Sequence, residues 1–533
     1  MKLSPSAHAD TFCRDNLPPA DQWPTLRFDL PELQYPERLN CATALLDEVA
    51  AAHGPDRPCL LTAVDSWTYG ELLIRANQIA RVLTEDFGVL PGHRVLLRGP
   101  NNPWLVASWF GVLKAGGVVV TTMPMLRSLE LGPLAKLTKP AVAICDHRFT
   151  GELASAAPDL PLVPYGGTSD GDLIKRSAAK PGTFTDVATA ADDVAMLAAT
   201  SGTTGTPKAT MHFHRDVLAI ADTFGKYLVQ SQPTDVFTGT PPLAFTFGLG
   251  GLLVFPMRAG AATLLVEKAT PAELADAVAR FGVTVVSTSP TAYRAMLKAG
   301  KAGCLRGLRT AVSAGEHLPK GVWEDFFEQT GVRLVDGIGS TEMLHVFVAA
   351  TGDAIRPGST GTAVPGYQAD VLGPDGRPAA DGEMGRLAVT GPTGCRYLAD
   401  PRQAEYVQDG WNITGDTYIR DADGYLWYQG RSDDMIVSAG YNIAPAEIER
   451  ALELHPDVAE CAVVGKPDAD RGMIVHAAVV LADGAAAGDQ KVAELQDFMK
   501  QRMAPYKYPR SIEFVAALPR TATGKVQRFR LRG

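Results

Sequence analysis

Twice along this chain, from about residue 41 to 160 and from roughly 210 to 350, segments with helical periodicity alternate with short apolar runs. Tyr69 to Leu83 is followed by Arg94-Val95-Leu96-Leu97, Trp104 to Leu113 by Val118-Val119-Val120, and Ala272 to Phe281 by Val283-Thr284-Val285-Val286. A short continuous apolar run reads as a strand buried on both faces, and an intervening helix is the crossover that parallel strands need. The pattern predicts an α/β fold with largely parallel sheets. From about 356 to 430 it gives way to short strands and turn signals such as Pro374-Asp375-Gly376, Ala380-Asp381-Gly382 and Asp423-Gly424, which predict a small β-rich subdomain. After Arg431 comes a short α/β module: a helix from Ala446 to Leu454, strands near Cys461-Ala462-Val463-Val464 and His476 to Leu481, and a helix from Val492 to Met503. Residues 164 to 193, rich in Gly, Ser, Thr, Ala and Asp, read as a linker, and the first forty residues as an arm packed on the main body.

A chain of 533 residues is too long for one compact core, and 46% hydrophobic with 20% charged residues supports sizeable cores. The net charge of -9 argues against non-specific nucleic-acid binding. Seven scattered cysteines, with no Cys-x-x-Cys, give no support to a zinc site or a disulfide framework; each reads as a small core hydrophobe in a reducing compartment. Asp10, Arg14 and Asp15 interrupt the amino terminus, so no signal peptide is read there. The stretches Trp104 to Leu113 and Leu252 to Met257 are too short to span a bilayer. A cytoplasmic protein with no membrane partner is expected.

Residues Thr200 to Lys208 read Thr-Ser-Gly-Thr-Thr-Gly-Thr-Pro-Lys, directly after the apolar run Val194 to Ala199. Gly202 and Gly205 free the backbone to aim amide N–H groups at one anion, Thr200, Ser201, Thr203 and Thr204 add hydroxyl donors, and Lys208 adds a positive charge. These residues describe a phosphate cradle; the competing reading is a Gly/Thr/Ser-rich surface turn. It is not the common P-loop, because Pro207 replaces the glycine before the lysine and Ala209 the following Ser/Thr, which removes the usual magnesium-ligating hydroxyl.

Four further clusters follow: Gly337-Ile338-Gly339-Ser340-Thr341-Glu342; Thr414-Gly415-Asp416; Gly430-Arg431-Ser432-Asp433-Asp434 with Ser438-Ala439-Gly440-Tyr441-Asn442 behind it; and Pro519-Arg520-Thr521-Ala522-Thr523-Gly524-Lys525. Each alone is an ordinary turn or solvated tail. In this order and spacing, behind the cradle, the set resembles the adenylate-forming superfamily of acyl-CoA synthetases, luciferases and adenylation domains, from about residue 40 to the end.

The resemblance implies a large N-terminal domain, 1–432, and a small mobile α+β C-terminal domain, 433–533. It implies ATP and CoA as substrates and Mg²⁺ as the metal. A carboxylate joins the α-phosphorus of ATP, pyrophosphate leaves, and a thioester forms; two anions must meet, so oriented donors and positive charge are the main need. On this likeness Thr200, Ser201, Gly202, Thr203, Thr204, Gly205 and Lys208 hold phosphates, Thr341 bonds the α-phosphate, and Glu342 holds Mg²⁺. Gly315, Glu316, Asp336 and Gly337 wall the ATP site, and Asp416 with Arg431 takes the ribose. Lys525 bridges carboxylate and α-phosphate. Asp433 is the pivot, and Gly440 with Tyr441 lies beside the incoming CoA thiol, where a side chain at Gly440 would block a narrow tunnel.

The acid pocket is implied by Phe245, Thr246, Phe247, Gly248, Ala314, Gly339 and His345, in segments that resemble benzoate-type CoA ligases. The arm from Leu17-Pro18-Pro19 to Asn40 and the string Phe245 to Gly251 resemble 2-aminobenzoate-CoA ligases in particular, so a small aromatic acid is the expected partner and 2-aminobenzoate the favoured one, with benzoate next. The sequence leaves the oligomeric state open, a homodimer included. Trp411-Asn412-Ile413 departs from the Tyr-Arg/Lys pair of many relatives, which leaves any contact from there open. An enzyme loading a separate carrier protein, a silent nucleotide sensor and a luciferase-like monooxygenase are the competing readings; the retention of Lys208, Thr341, Glu342, Asp416, Arg431 and Lys525 together argues against the sensor.

Overall fold

The computed structural model describes residues 3–200, 207–432, 434–438, 441–468, 472–503, 507–521 and 524–532. Two large sheets carry the N-terminal part. In the first, among the described residues, six strands run in the order Leu162–Tyr165, Val142–Asp146, Arg94–Arg98, Val118–Thr122, Val194–Thr200 and Lys208–Phe213. All neighbours are parallel except the last pair, where Thr200 faces Lys208. In the second, nine strands are ordered Thr362–Ala363, Val346–Ala349, Leu334–Gly339, Thr310–Ala314, Val285–Thr288, Val236–Gly239, Ala262–Leu264, Pro58–Leu61 and Ser66–Thr68, with a parallel centre and antiparallel ends.

The helix Pro103–Lys114 shows how the sequence builds this core. Asn102 caps it by accepting from the Leu105 amide at 3.0 Å, and Pro103 fills the first position, where its missing N–H costs nothing. Leu105, Val106, Trp109, Phe110, Val112 and Leu113 leave it apolar on nearly every face, and every residue of it except Trp104 is buried. Its last residue, Lys114, is fully buried but paired, 2.6 Å from Asp47 and 2.9 Å from Asp186. Asp186 lies in the stretch expected to be a linker. That stretch is instead built in: it contains the helix Leu173–Ala178, and Asp192 and Asp193 are buried. The arm is packed as expected, with Leu26 bridged to Gly391, Arg38 to Ala190, and Cys13 fully buried. Six cysteines are buried, but Cys304 is only half-buried.

The β-rich part is an antiparallel sheet of Gln368–Leu372, Met384–Thr390, Trp411–Arg420 and Val407–Gln408, with Leu426–Arg431 paired to Trp411–Arg420. The C-terminal part has a separate core, centred on Ile436, Ile448, Val463, Val475 and Met499. There Val458–Asp468, Gly472–Leu481 and Ser511–Phe514 form a sheet accompanied by the helices Pro445–Leu452 and Asp489–Arg502. This is the mixed α/β architecture, large and then small, that the periodicities predict. No described helix is long and apolar enough to cross a membrane.

Candidate active site

The strand Lys208–Phe213 is the last of the six-stranded sheet, and its free side is covered by residues 396–398: Thr210 bridges Tyr397, the Met211 amide donates to the Arg396 carbonyl at 2.7 Å, and the Leu398 amide to the Ala209 carbonyl at 2.8 Å. That pairing delivers the Tyr397 hydroxyl to the Lys208 ammonium, which donates to it, and the hydroxyl in turn donates to Glu342 Oε1 at 2.5 Å. Lys208 Nζ also lies 2.9 Å from the same carboxylate oxygen and 4.3 and 5.7 Å from the ring centres of Tyr397 and Tyr406. Burial pushes the Glu342 carboxyl up, but the Lys208 charge and the hydrogen bonds from Tyr397 and Lys208 outweigh it and hold the group below its ordinary value. Burial and the Glu342 charge together push the Tyr397 phenol far up, so it stays a donor. An ionised carboxylate is a hard oxygen ligand, and as a donor it fits Mg²⁺.

Glu342 and Thr341 sit on the turn that follows the strand Leu334–Gly339, at its carboxyl end, where open α/β sheets take their ligands. The turn is tight: a Cβ on Gly339 would lie 2.7 Å from the His345 carbonyl oxygen. Ser340 Oγ accepts from the Met343 amide and lies within hydrogen-bond reach of the Tyr406 hydroxyl, both at 3.2 Å, and the Thr341 carbonyl accepts from His212 Nε2 at 2.8 Å. Leu344, fully buried, takes φ 66°, a left-handed conformation that costs a branched residue about 1–2 kcal/mol and marks a turn held by its surroundings.

The neighbouring parallel strand Thr310–Ala314 ends at Gly315, whose φ of 89° favours glycine. Glu316 accepts from Thr291 Oγ1 at 2.6 Å, while its Oε1 is buried without a partner among the described residues. Asp336 has one oxygen in the same condition, and burial pushes its carboxyl well up. Asp416 and Arg431 are paired across two strands, 3.5 Å apart, with the Asp416 amide donating to Thr414 Oγ1 at 3.2 Å. Asn412, in the departing segment, is spent on structure: it accepts from the Cys395 amide and donates to the Val389 carbonyl.

Lys525 is exposed on a hairpin closed by the Arg520–Val526 bridge; its amide donates to Thr521 Oγ1 at 3.1 Å, and Arg520 donates to the Gly524 carbonyl at 2.6 Å. A Cβ on Gly524 would stand 2.8 Å from Glu316 Oε1, so the hairpin lies against the Gly315-Glu316 edge. The structure thus brings Lys208 against Glu342, next to Thr341, sets Gly524 beside Glu316, and pairs Asp416 with Arg431.

His345, 2% exposed, sits in an aromatic box, with ring centres 5.2 Å from Phe224, 5.7 Å from Phe247 and 4.7 Å from Phe255. Both ring nitrogens lack a hydrogen-bond partner among the described residues. Burial lowers its pKa to about 3; the Phe247 carbonyl pulls the other way without making a proper hydrogen bond. Gly250 is required beside it, since a Cβ there would lie 2.3 Å from His345 Cδ2. Phe245 directly precedes the short helix Thr246–Leu249; Gly248 presses against the Pro242 carbonyl, and Ala314 is buried at the end of its strand.

Ser201, Gly202, Thr203, Thr204, Gly205, Asp433 and Gly440 lie outside the described residues. Of Thr200 and Tyr441 only the backbone is described, in strands. Sequence reasoning missed Tyr397, Tyr406 and His212. Tyr397 follows Gly394-Cys395-Arg396, and an aromatic after a glycine stretch carried too weak a signal to single it out.

Residues 46–397 match the AMP-binding enzyme family and residues 447–525 its C-terminal domain. The chain is 34% identical over 513 residues to a benzoate-CoA ligase of Thauera aromatica, covering 94% of this chain and 97% of that one. Among solved structures, the anthranilate CoA ligase AuaEII in complex with anthranoyl-AMP superposes with a TM-score of 0.88 at 33% identity, covering 94% and 98% of the two chains. A benzoate CoA ligase from Burkholderia xenovorans LB400 gives 0.85 at 31%, covering 93% and 100%. With two thirds of its length matched by one family and its fold shared throughout, the chain belongs to the AMP-binding enzymes.

Proposed function

We propose that the protein activates an aromatic carboxylic acid, 2-aminobenzoate before benzoate, through an aryl-adenylate to its CoA thioester. The observation that carries the aromatic reading is the box of Phe224, Phe247 and Phe255 around His345, next to the turn that bears Thr341 and Glu342. A flat ring fits aromatic walls, and a neutral imidazole has one acceptor and one donor for a ring substituent. An amino group ortho to the carboxylate needs one acceptor. The likeness to a ligase solved with anthranoyl-AMP supports that choice, and the likeness to benzoate-CoA ligases supports the class.

In this reading a carboxylate oxygen of the acid attacks the α-phosphorus of ATP and the bond to pyrophosphate breaks. Thr341 donates to an α-phosphate oxygen, Lys208 and the loop before it hold the outer phosphates, and Asp416 with Arg431 fixes the ribose. Lys525 bridges the two anions as charge shifts between them. Fixed donors aimed at developing charge are the main source of rate in such transfers. Glu342 would hold Mg²⁺, which when bound offsets phosphate charge. The thiol of CoA then attacks the acyl carbon and AMP leaves, with residues 433–533 turning about Asp433 so that Gly440 and Tyr441 replace Lys525. The test is CoA-dependent AMP release with Mg-ATP across 2-aminobenzoate, benzoate, the hydroxybenzoates, phenylacetate and a medium-chain fatty acid. A preference for 2-aminobenzoate is expected; a preference for the fatty acid overturns the pocket reading, and pyrophosphate release that CoA does not carry on to AMP release points to the carrier-protein alternative.

A further inference from the structure

Behind the Thr341–Glu342 turn lies a layer of charge that the reaction as written does not use. Arg396, Asp216 and His212 are each fully buried. Arg396 donates to Asp216 Oδ2 and, at 3.3 Å, to the Met211 carbonyl, and its guanidinium stacks 4.0 Å from the centre of the Phe213 ring. Buried charge on this scale is costly unless paired, so the layer is held as a unit. It touches the site at two points. Arg396 and Tyr397 are adjacent on an extended segment, so their side chains leave on opposite faces: one anchors in the core and the other reaches Lys208 and Glu342. His212 Nε2 meets the Thr341 carbonyl at 2.8 Å, and because a carbonyl only accepts, the imidazole carries its proton on Nε2.

The second ring nitrogen makes no competing bond. His212 Nδ1 is 3.9 Å from Asp216 Oδ2, beyond hydrogen-bond distance, and has no partner among the described residues. Asp216 Oδ2 is already engaged by Arg396. Burial and the nearby Arg396 charge lower the His212 pKa to about 3, which keeps the ring neutral. The strand Lys208–Phe213 therefore grips the turn twice, by the Lys208 ammonium on the Glu342 carboxylate and by the His212 ring on the Thr341 carbonyl.

We propose that His212, set in its Nε2–H form against the Arg396–Asp216 pair, is a positioning residue that fixes the Thr341 hydroxyl and the Glu342 carboxylate for the phosphates of Mg-ATP. The inference rests on the reading of Thr341 and Glu342 given above, and it acts through them rather than on substrate. Three variants test it. His212→Gln carries an amide N–H as far as Nε2, His212→Asn stops near Nδ1, and His212→Leu has no donor.

Two readouts are taken for each: the dissociation constant of a non-hydrolysable Mg-ATP analogue without acid, and kcat and KM for adenylate formation. We expect Asn and Leu to weaken analogue binding and lower kcat by roughly tenfold each, the scale of one lost buried hydrogen bond, with KM for the aromatic acid unchanged. Gln should restore both to within about threefold of wild type on the same scale. If Leu does not fold, the Gln–Asn pair decides alone. The proposal is overturned if Gln falls as far as Asn, if all variants match wild type, or if KM for the acid rises while analogue binding holds. Failure of the wild-type chain to adenylate any aromatic acid would instead sink the substrate reading, and the analogue titration would still judge His212.

Discussion

Lys208 and Lys525, the two lysines to which the proposed reaction gives the phosphates and the acid, are held in different ways. The Lys208 side chain is 19% exposed and held by Glu342, the Tyr397 hydroxyl and two tyrosine rings. Lys525 is exposed on a hairpin whose described bonds are made by its backbone and by Arg520. The difference separates two demands on one reaction. Phosphate charge has to be met by groups already in place, because reorganising them during the reaction would raise the barrier. In the proposed reaction the charge that bridges acid and phosphate leaves afterwards so that a thiol can enter, and Lys525 follows the part of the chain that has a separate core.

The largest effect is expected from Glu342→Gln, which leaves Lys208 without its counter-charge. Adenylate formation should fall by about 10²–10³, and stability by about 2–4 kcal/mol, read by pyrophosphate release and urea midpoint. The folded carboxyl lies below its ordinary 4.5, so its contribution is complete above that pH and is lost as pH falls through the lower folded value; the variant should show a flatter acid limb. Lys525→Ala should cost a similar factor of about 10²–10³ in adenylation while leaving Tm within about 2 °C, as surface substitutions do. An equal loss of stability in the two variants would break the contrast.

Tyr397→Phe removes only the bridging hydroxyl, and we expect about a tenfold slower adenylation with about 1–2 kcal/mol of stability lost. The smallest effect concerns a carboxyl of the smaller C-terminal domain. Glu453 is pushed up to about 7 by burial and Glu449, against Arg294 of the large domain and Arg450. A raised carboxyl favours the fold fully below 4.5 and loses that advantage as pH climbs through about 7. Glu453→Gln should therefore flatten the stability profile over that window and gain about 1 kcal/mol at pH 8, checked by thermal scans between pH 5 and 8.

The layers of the fold were legible because periodicity is local: Val118-Val119-Val120 and the helix Pro103–Lys114 announce burial by composition alone. The chemical stations were legible through short motifs, and the structure places Lys208 against Glu342 and Asp416 against Arg431. What escaped is what long-range contact creates. Nothing near Tyr397 signals that it closes onto Lys208, and nothing in Met211-His212-Phe213 says that one ring holds the Thr341 carbonyl, 129 residues away. The supposed linker failed for the same reason, since Asp186 looks like a loop residue until Lys114 is placed beside it.

The pairing of Tyr397 with the Lys208–Phe213 strand also has a consequence for the growing chain. Lys208 is made 189 residues before the tyrosine it binds, and Glu342 55 residues before it. At about 5–20 residues per second, synthesis leaves Lys208 waiting roughly 10–40 s for that partner. Contacts so distant in sequence form late. A half-emerged chain thus has the lysine but no finished clamp, and Lys208 meets its hydroxyl partner only once the segment around Tyr397 has been made.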